Sequence, residues 1–185
     1  MSSSALEINV LYLSGSPRRD SNTDRLLEIV RSVAPGEIIK LVDHTIEPCR
    51  CCWTCREQDC CVIDDDFTGV IWPKMAACDA LVIGCPVYFN NVPSQTKALI
   101  DRTWAYRGEL RNIIGGAVVV GRRYGAESAI TALHAFYLKH EMIPANRGVC
   151  GMAFEAGEIE EDAEALDAAR RLGERILELG RLLGR

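Results

Sequence analysis

No apolar run in the 185-residue chain reaches membrane-spanning length; the longest, Ile113 to Gly121, stops at Arg122 and Arg123. Met1-Ser2-Ser3-Ser4 offers neither a basic n-region nor an apolar h-region, so no signal peptide is expected and the protein is expected to be soluble and cytoplasmic. There is no excess of positive charge. Twenty-one Lys and Arg against 26 Asp and Glu leave a formal −5, which argues against nucleic acid as the main partner, because neutralising phosphates takes a concentrated basic surface. The chain also lacks G-x-G-x-x-G and G-x-x-x-x-G-K-S/T, so neither a Rossmann dinucleotide grip nor a P-loop is indicated. Only three histidines occur, His44, His134 and His140, in no ligand pattern; they read as solvated or packed. Repeats, low-complexity stretches and obvious linkers are missing too. With 48% apolar and 25% charged residues, one domain over residues 1–185 is expected.

Cysteine is what the chain has in excess. There are nine, and Cys49, Cys51, Cys52, Cys55, Cys60 and Cys61 fall within one short segment. An odd total and no export signal speak against a disulfide framework and for a metal or redox site. Cys49-x2-Cys52-x2-Cys55 places three thiols where they can wrap one compact soft metal centre, with a fourth from just downstream. Structural zinc more often uses two C-x2-C pairs set further apart, so the crowding favours a cubane iron–sulfur cluster. Cys78, Cys85 and Cys150 read as small hydrophobes in or near the core. Asp64 to Asp66 read as helix-terminal charge rather than a cation site, and Trp53 as a shield for a cluster.

Elsewhere short apolar segments alternate with amphipathic ones. Strands are expected at Glu7 to Leu13, Glu37 to Val42, Ala80 to Gly84, Gly115 to Gly121 and Val149 to Phe154. Helices are expected at Asn22 to Val33, Asp66 to Ala77, Ser94 to Tyr106, Glu127 to Glu141 and Glu160 to Leu183. Continuously apolar strands, each followed by a helix, imply an α/β fold: a doubly wound, five-stranded parallel sheet, with the cysteine-rich segment inserted at about residues 47–63. Such sheets bind ligands at the carboxyl ends of their strands, where strand order reverses.

The loop after the first strand carries Ser14, Ser16, Arg18, Ser21, Asn22 and Thr23 into a helix. Unpaired N–H groups at a helix start, neutral hydroxyl and amide donors and one fixed cation suit a terminal phosphate monoester, so a mononucleotide fits best. The plainer alternative is a capped helix beside a solvated arginine. After the third strand come Pro86, Val87, Tyr88, Phe89 and Asn90, which suit a flat heteroaromatic ring; Gly121 and Arg122 after the fourth would close its other side. The plainer alternative there is a turn with exposed aromatics.

Gly15-Ser16-Pro17-Arg18 with Asn22-Thr23, Pro86-Val87-Tyr88, and Lys97 followed by Asp101-Arg102 resemble the NAD(P)H-dependent FMN reductase family over roughly residues 7–155. The resemblance implies the flavodoxin-like fold, strand order 2-1-3-4-5, and FMN with its phosphate on the first loop and its ring between the later two. Lys97, Asp101 and Arg102 are read as bracing their helix. The cysteine segment resembles the iron–sulfur flavoproteins of the same family, whose C-x2-C-x2-C-x4–7-C motif holds a 4Fe–4S cluster beside FMN. Their fourth cysteine precedes a hydrophobic–acidic run, a register that Cys61-Val62-Ile63-Asp64-Asp65 matches, so the resemblance implies Cys49, Cys52, Cys55 and Cys61 as ligands. It also implies NAD(P)H as donor, a ferredoxin or quinone as a further partner, and a homodimer or homotetramer. No catalytic side chain is expected, since the chemistry belongs to the flavin. Two other functions stay open: a cluster-free NAD(P)H:flavin or quinone reductase, and a zinc-stapled flavodoxin-like binding module. Arg122 and Arg123 would suit the extra phosphate of NADPH, but exposed arginines are usually just solvated.

Overall fold

In the computed structural model, residues 8–185 are described; Glu7 and the Met1-to-Ser4 start lie outside them. Three strands form the centre: β1 (Val10–Ser14), β3 (Ala80–Pro86) and β4 (Ile114–Gly121). They are buried almost throughout because helices cover both of their faces, which is why they read as unbroken apolar runs. β2 (Gly36–Lys40) pairs with β1 at one edge, and every pairing is parallel. The order is β2-β1-β3-β4-β5, as the doubly wound reading requires.

The far edge is shared by two short segments. β5 (Ile143–Pro144) pairs with Ile114 and Gly115 of β4, and β6 (Val149–Met152) pairs with Val118 to Gly121. The expected fifth strand is β6, two residues shorter than read. β5 escapes a sequence reading because two residues ending in proline carry no periodicity.

On one face, α1 (Asn22–Val33) and α6 (Ala163–Leu183) pack over Val10, Tyr12, Val82 and Val118. They cross closely at Gly173, where a Cβ would lie 2.7 Å from that of Val33. The other face carries α3 (Trp72–Ala77), α4 (Ser94–Arg102) and α5 (Ala126–Lys139) over Leu11, Leu81, Ile83 and Val119. The single turn between them and β2, α2 (Cys55–Gln58), belongs to the cysteine segment.

The helix expected over Asp66 to Ala77 begins as a π-turn, Phe67–Ile71, whose closing bond runs from the Trp72 N–H to the Phe67 carbonyl. Pro73 follows and has no N–H to return to the preceding turn, so the wider turn falls where an α-helical bond is missing anyway. α4 likewise tightens into a 3₁₀ turn, Thr103–Tyr106, instead of running on as one helix. Among the described residues no helix is long and apolar enough to cross a membrane.

Candidate functional site

The first loop sits at the carboxyl end of β1. The Gly15 N–H donates to the Gly84 carbonyl at 2.7 Å, tying the loop to β3. A Cβ on Gly15 would fall 2.1 Å from Thr96 Oγ1 and 3.2 Å from Cys85 Cβ, so only glycine lets the chain turn this close to α4. Ser21 caps α1, accepting the Asp24 N–H at 3.3 Å. Ser14, Ser16, Ser21, Asn22 and Thr23 are all buried, while Arg18 is exposed. The Ser14 hydroxyl donates to Asp24 and receives the Ser16 N–H at 3.3 Å. Asp24 would repel an anion at the helix start, but Lys40 Nζ pairs with it at 2.7 Å and also donates to the Arg18 carbonyl at 3.1 Å. With Asp24 neutralised in this way, Arg18 and Arg19 are the exposed cations of this loop. A loop of buried hydroxyls, exposed guanidinium groups and a helix start fits a phosphate monoester.

Asn22 has a different task from the one its sequence position implies. Its side-chain amide donates to the Glu155 carbonyl at 2.7 Å and accepts the Gly157 N–H at 2.9 Å. Arg18 Nη1 reaches the Phe154 carbonyl at 3.1 Å, and the Arg122 guanidinium stacks 4.0 Å from the Phe154 ring centre. The turn after β6 is thus part of this rim, and sequence reasoning missed Phe154, Glu155 and Gly157. Their one signal is Gly157, which takes the left-handed conformation with φ 85°.

The loops after β3 and β4 meet. Tyr88 and Asn91 exchange both backbone hydrogen bonds, at 2.9 and 3.0 Å, around Phe89 and Asn90 with φ of 48° and 58°. That is a tight two-residue hairpin of the kind that normally takes Asn-Gly. The Phe89 ring stands fully in solvent, and Tyr88 is half exposed beside it. Gly125 packs against this hairpin so closely that a Cβ there would lie 2.6 Å from Asn90 Cα and 3.0 Å from Val87 Cγ1. Pro86 and Val87 are half-buried at the base and Gly121 is buried. An apolar, aromatic rim with exposed amides therefore lies along the carboxyl ends of β3 and β4, beside the first loop.

The cysteine segment forms a second feature. Left-handed φ values at Cys51, Trp53 and Asp59 coil it. Cys49 Sγ accepts the Cys51 N–H at 3.4 Å, and Cys52 Sγ accepts the Thr54 hydroxyl at 3.5 Å, the contact that lowers the Cys52 thiol below its ordinary pKa. Cys49, Cys52, Cys55 and Cys61 all line one cavity of about 700 Å³, closed on its other sides by the end of α4 and by α5; Cys51 lines it as well, and Cys60 does not. Among the described residues no three His, Cys, Asp or Glu side chains converge on a single metal ion. Thiols are donors that suit a soft multi-metal centre, and three of these, Cys49, Cys52 and Cys61, already accept hydrogen bonds at sulfur. Trp53 is half exposed.

Both ends of this segment are pinned from α4 and the 3₁₀ turn that follows it. Gln95 Nε2 donates to the His44 carbonyl at 3.1 Å, and the Tyr106 hydroxyl accepts the Cys61 N–H at 3.3 Å. Arg102, with no exposed side chain, forms a buried ion pair with Asp65 at 2.7 Å, and also reaches the Glu47 and Ile63 carbonyls and Cys61 Sγ. Burial pushes the Asp65 carboxyl up, but the Arg102 guanidinium and the N–H groups of Glu47 and Thr68 outweigh it and hold it below the usual carboxylate range. Asp65 is thus an internal counter-ion and not simply helix-terminal charge. Asp66 accepts the Thr45 N–H at 2.7 Å and faces His44. His134 and His140 are packed, as expected. Cys78 and Cys85 are buried, their thiols pushed up to about 12 by desolvation, whereas Cys150 is exposed at the sheet edge and is no core residue.

A parallel 2-1-3-4-5 sheet with an anion-ready loop after β1 and an aromatic rim after β3 defines a flavodoxin-like protein. Residues 8–157 match the model of the NADPH-dependent FMN reductase family, and the chain belongs to that family. It is 36% identical to an iron-sulfur flavoprotein of Methanocaldococcus jannaschii over 95% of this chain and 99% of that one. An iron-sulfur flavoprotein of Archaeoglobus fulgidus is 34% identical over 93% and 95% of the two chains. In structure, the NAD(P)H:quinone oxidoreductase from Methanothermobacter marburgensis superposes with a TM-score of 0.70 at 16% identity, covering 92% of this chain and 96% of that one. The protein is an FMN-dependent oxidoreductase.

Proposed function

We propose that this chain is an iron–sulfur flavoprotein that passes electrons between a nicotinamide nucleotide and a one-electron or quinone acceptor. Bound FMN supplies hydride acceptance and electron release. The residues around it bind and orient. Ser16, Ser21 and Thr23 with the α1 N-terminus receive the phosphate, and Arg18 supplies its counter-charge. Ser14 holds Asp24 aside, and Asn22 fixes the turn after β6. Pro86, Val87, Tyr88, Phe89 and Asn90, with Gly121 and Arg122 opposite, flank the ring.

Cys49, Cys52, Cys55 and Cys61 hold a 4Fe–4S cluster. The observation that carries this reading is that these four thiols, with Cys51, line one cavity from which Cys60 is absent. The 36% identity to proteins named iron-sulfur flavoprotein supports it. The finer features proposed with it are NAD(P)H as donor, a homodimer or homotetramer, and a cytoplasmic location.

Anaerobic purification followed by an absorption spectrum and metal analysis tests the proposal. Flavin bands with broad iron–sulfur absorption and about four irons per chain are expected. Flavin without iron would leave a cluster-free reductase, and zinc in a colourless protein would leave a binding module.

A further inference from the structure

Arg102 is the largest fully buried side chain among the described residues and directs every N–H of its guanidinium to an acceptor. Nη1 donates to the Glu47 carbonyl at 2.8 Å and to Asp65 Oδ2 at 2.7 Å; Nη2 donates to the Ile63 carbonyl and Asp65 Oδ1, both at 3.1 Å. The remaining donor, Nε, points at Cys61 Sγ from 3.1 Å. Phe67 covers the guanidinium at 4.8 Å and excludes water. An ion pair this deep is costly: desolvating two charges is repaid only by near-complete hydrogen bonding, and an apolar pair of similar volume is often as stable or more so. Folding alone therefore gives little reason for Arg102 and Asp65. What the pair achieves that an apolar pair would not is a fixed, dry, charged donor on one sulfur.

The neighbouring thiol lacks that donor. Cys60 is exposed and lies outside the cavity, whereas Cys61 is half-buried, held at its N–H by Tyr106 and at its sulfur by Arg102. Glu47 and Ile63, the two carbonyls on the guanidinium, flank the cysteine segment at its two ends, so one side chain closes the segment and orients its last thiol.

We infer that Arg102 is a positioning residue that selects Cys61 over Cys60 as the fourth thiolate and raises the reduction potential of the centre through a charged hydrogen bond to that sulfur. The inference rests on the cluster reading above. Hydrogen bonds to ligand sulfur and nearby positive charge both stabilise the more negative, reduced state, which sets the direction of the shift.

The test compares wild type with C60S, C61S, R102K and the double variant D65L/R102L, all reconstituted anaerobically with iron and sulfide. Iron per chain and the midpoint potential by EPR-monitored titration are measured, with FMN content reporting the fold. C60S is expected to keep wild-type iron and potential, and C61S to lose iron while keeping FMN. R102K is expected to move the potential to a more negative value. Should R102K fail to retain FMN, the double variant decides, because it replaces both buried charges with apolar bulk; it is expected to keep FMN and show the negative shift or lost iron. Full iron in C61S, or wild-type iron and an unmoved potential in R102K or in the double variant, overturns the inference while the cluster reading stands. Wild-type protein that retains FMN but takes up no iron overturns both.

Discussion

Asn22 and Gly157 are joined from the first turn of α1 to the turn after β6, the Asn22 Oδ1 accepting the Gly157 N–H at 2.9 Å while its Nδ2 donates to the Glu155 carbonyl at 2.7 Å. Asn22 thereby ties to α1 a loop that Glu158 also holds, accepting the Phe154 and Glu155 N–H groups. The same loop receives Arg18 at Phe154 and carries the ring on which Arg122 lies. In the proposed site Asn22 would shape the phosphate end by holding its far wall, leaving Ser16, Thr23 and the helix N-terminus to meet the anion.

Replacing Asn22 with alanine removes both bonds, each contributing about 1 kcal/mol. FMN affinity is expected to fall roughly tenfold, 1.4 kcal/mol corresponding to one decade. Asn22→Asp keeps the acceptor for Gly157 and is expected to lose less. Titration of apoprotein followed by flavin fluorescence quenching checks both. Equal affinity in wild type and Asn22→Ala would show that the loop after β6 takes no part in binding.

Arg18 makes a sharper prediction about the phosphate. With Asp24 paired to Lys40, Arg18 and Arg19 are the exposed cations of the loop before α1, and Arg18 reaches the rim at the Phe154 carbonyl. Arg18→Gln is expected to weaken FMN by about five- to tenfold while leaving riboflavin affinity unchanged, a charged hydrogen bond contributing about 1.5–3 kcal/mol before solvent screening reduces it. The FMN difference should shrink as salt is raised. Parallel titrations with the two flavins measure it, and loss of both affinities together would place the phosphate elsewhere.

The acid side of the stability profile carries two separable features. Burial lowers the pKa of both His134 and His140, with Lys139 adding to it at His140. Protonation therefore favours the unfolded chain, and stability should begin to fall as pH drops below about 6.5, the ordinary histidine value. Asp65 is also held low, so its contribution is complete above the unfolded carboxylate value of about 3.9 and disappears as pH falls through the lower native value. Urea unfolding from pH 8 to about pH 2 should show both windows, with His140→Gln reducing the upper one and the double variant H134Q/H140Q flattening it. At neutral pH, Asp65→Asn is expected to cost about 3–5 kcal/mol, because it strands a buried guanidinium, and its deficit should narrow in acid.

Most of the sheet was legible because β1, β3 and β4 are buried on both faces and must read as apolar runs; β5 was not, since two residues give a period nothing to act on. The loops after β1 and β3 were legible by topology, since ligands in such sheets gather at the carboxyl ends. Asn22 was found, but its partners lie more than 130 residues away in a loop without a motif. Arg102 could be read only as a brace for its helix, because Cys61 and Asp65 come from a segment about 40 residues earlier. Local pattern identifies elements and their capping residues. It is silent on which distant side chain a buried charge will meet.

The hairpin at Phe89 and Asn90 supplies the last prediction. Both residues occupy the left-handed region, where an aromatic side chain costs about 1 kcal/mol or more, and the ring recovers nothing by burial because it stands in solvent. Asn-Gly is the pair this turn favours, so F89N/N90G should relieve the strain. About 1–2 kcal/mol of added stability is expected, a rise in the melting temperature of the flavin-free protein of about 2–8 °C. Strain of this kind persists where a ligand makes use of it, and the exposed ring beside Tyr88 is placed to cover a flat aromatic molecule. The same variant should therefore bind FMN more weakly, so that its melting temperature gains less from added flavin than that of wild type. Melting curves with and without FMN read both effects. A variant that is stabilised and binds flavin as well as wild type would make the hairpin a tolerated local fault and remove Phe89 from the site.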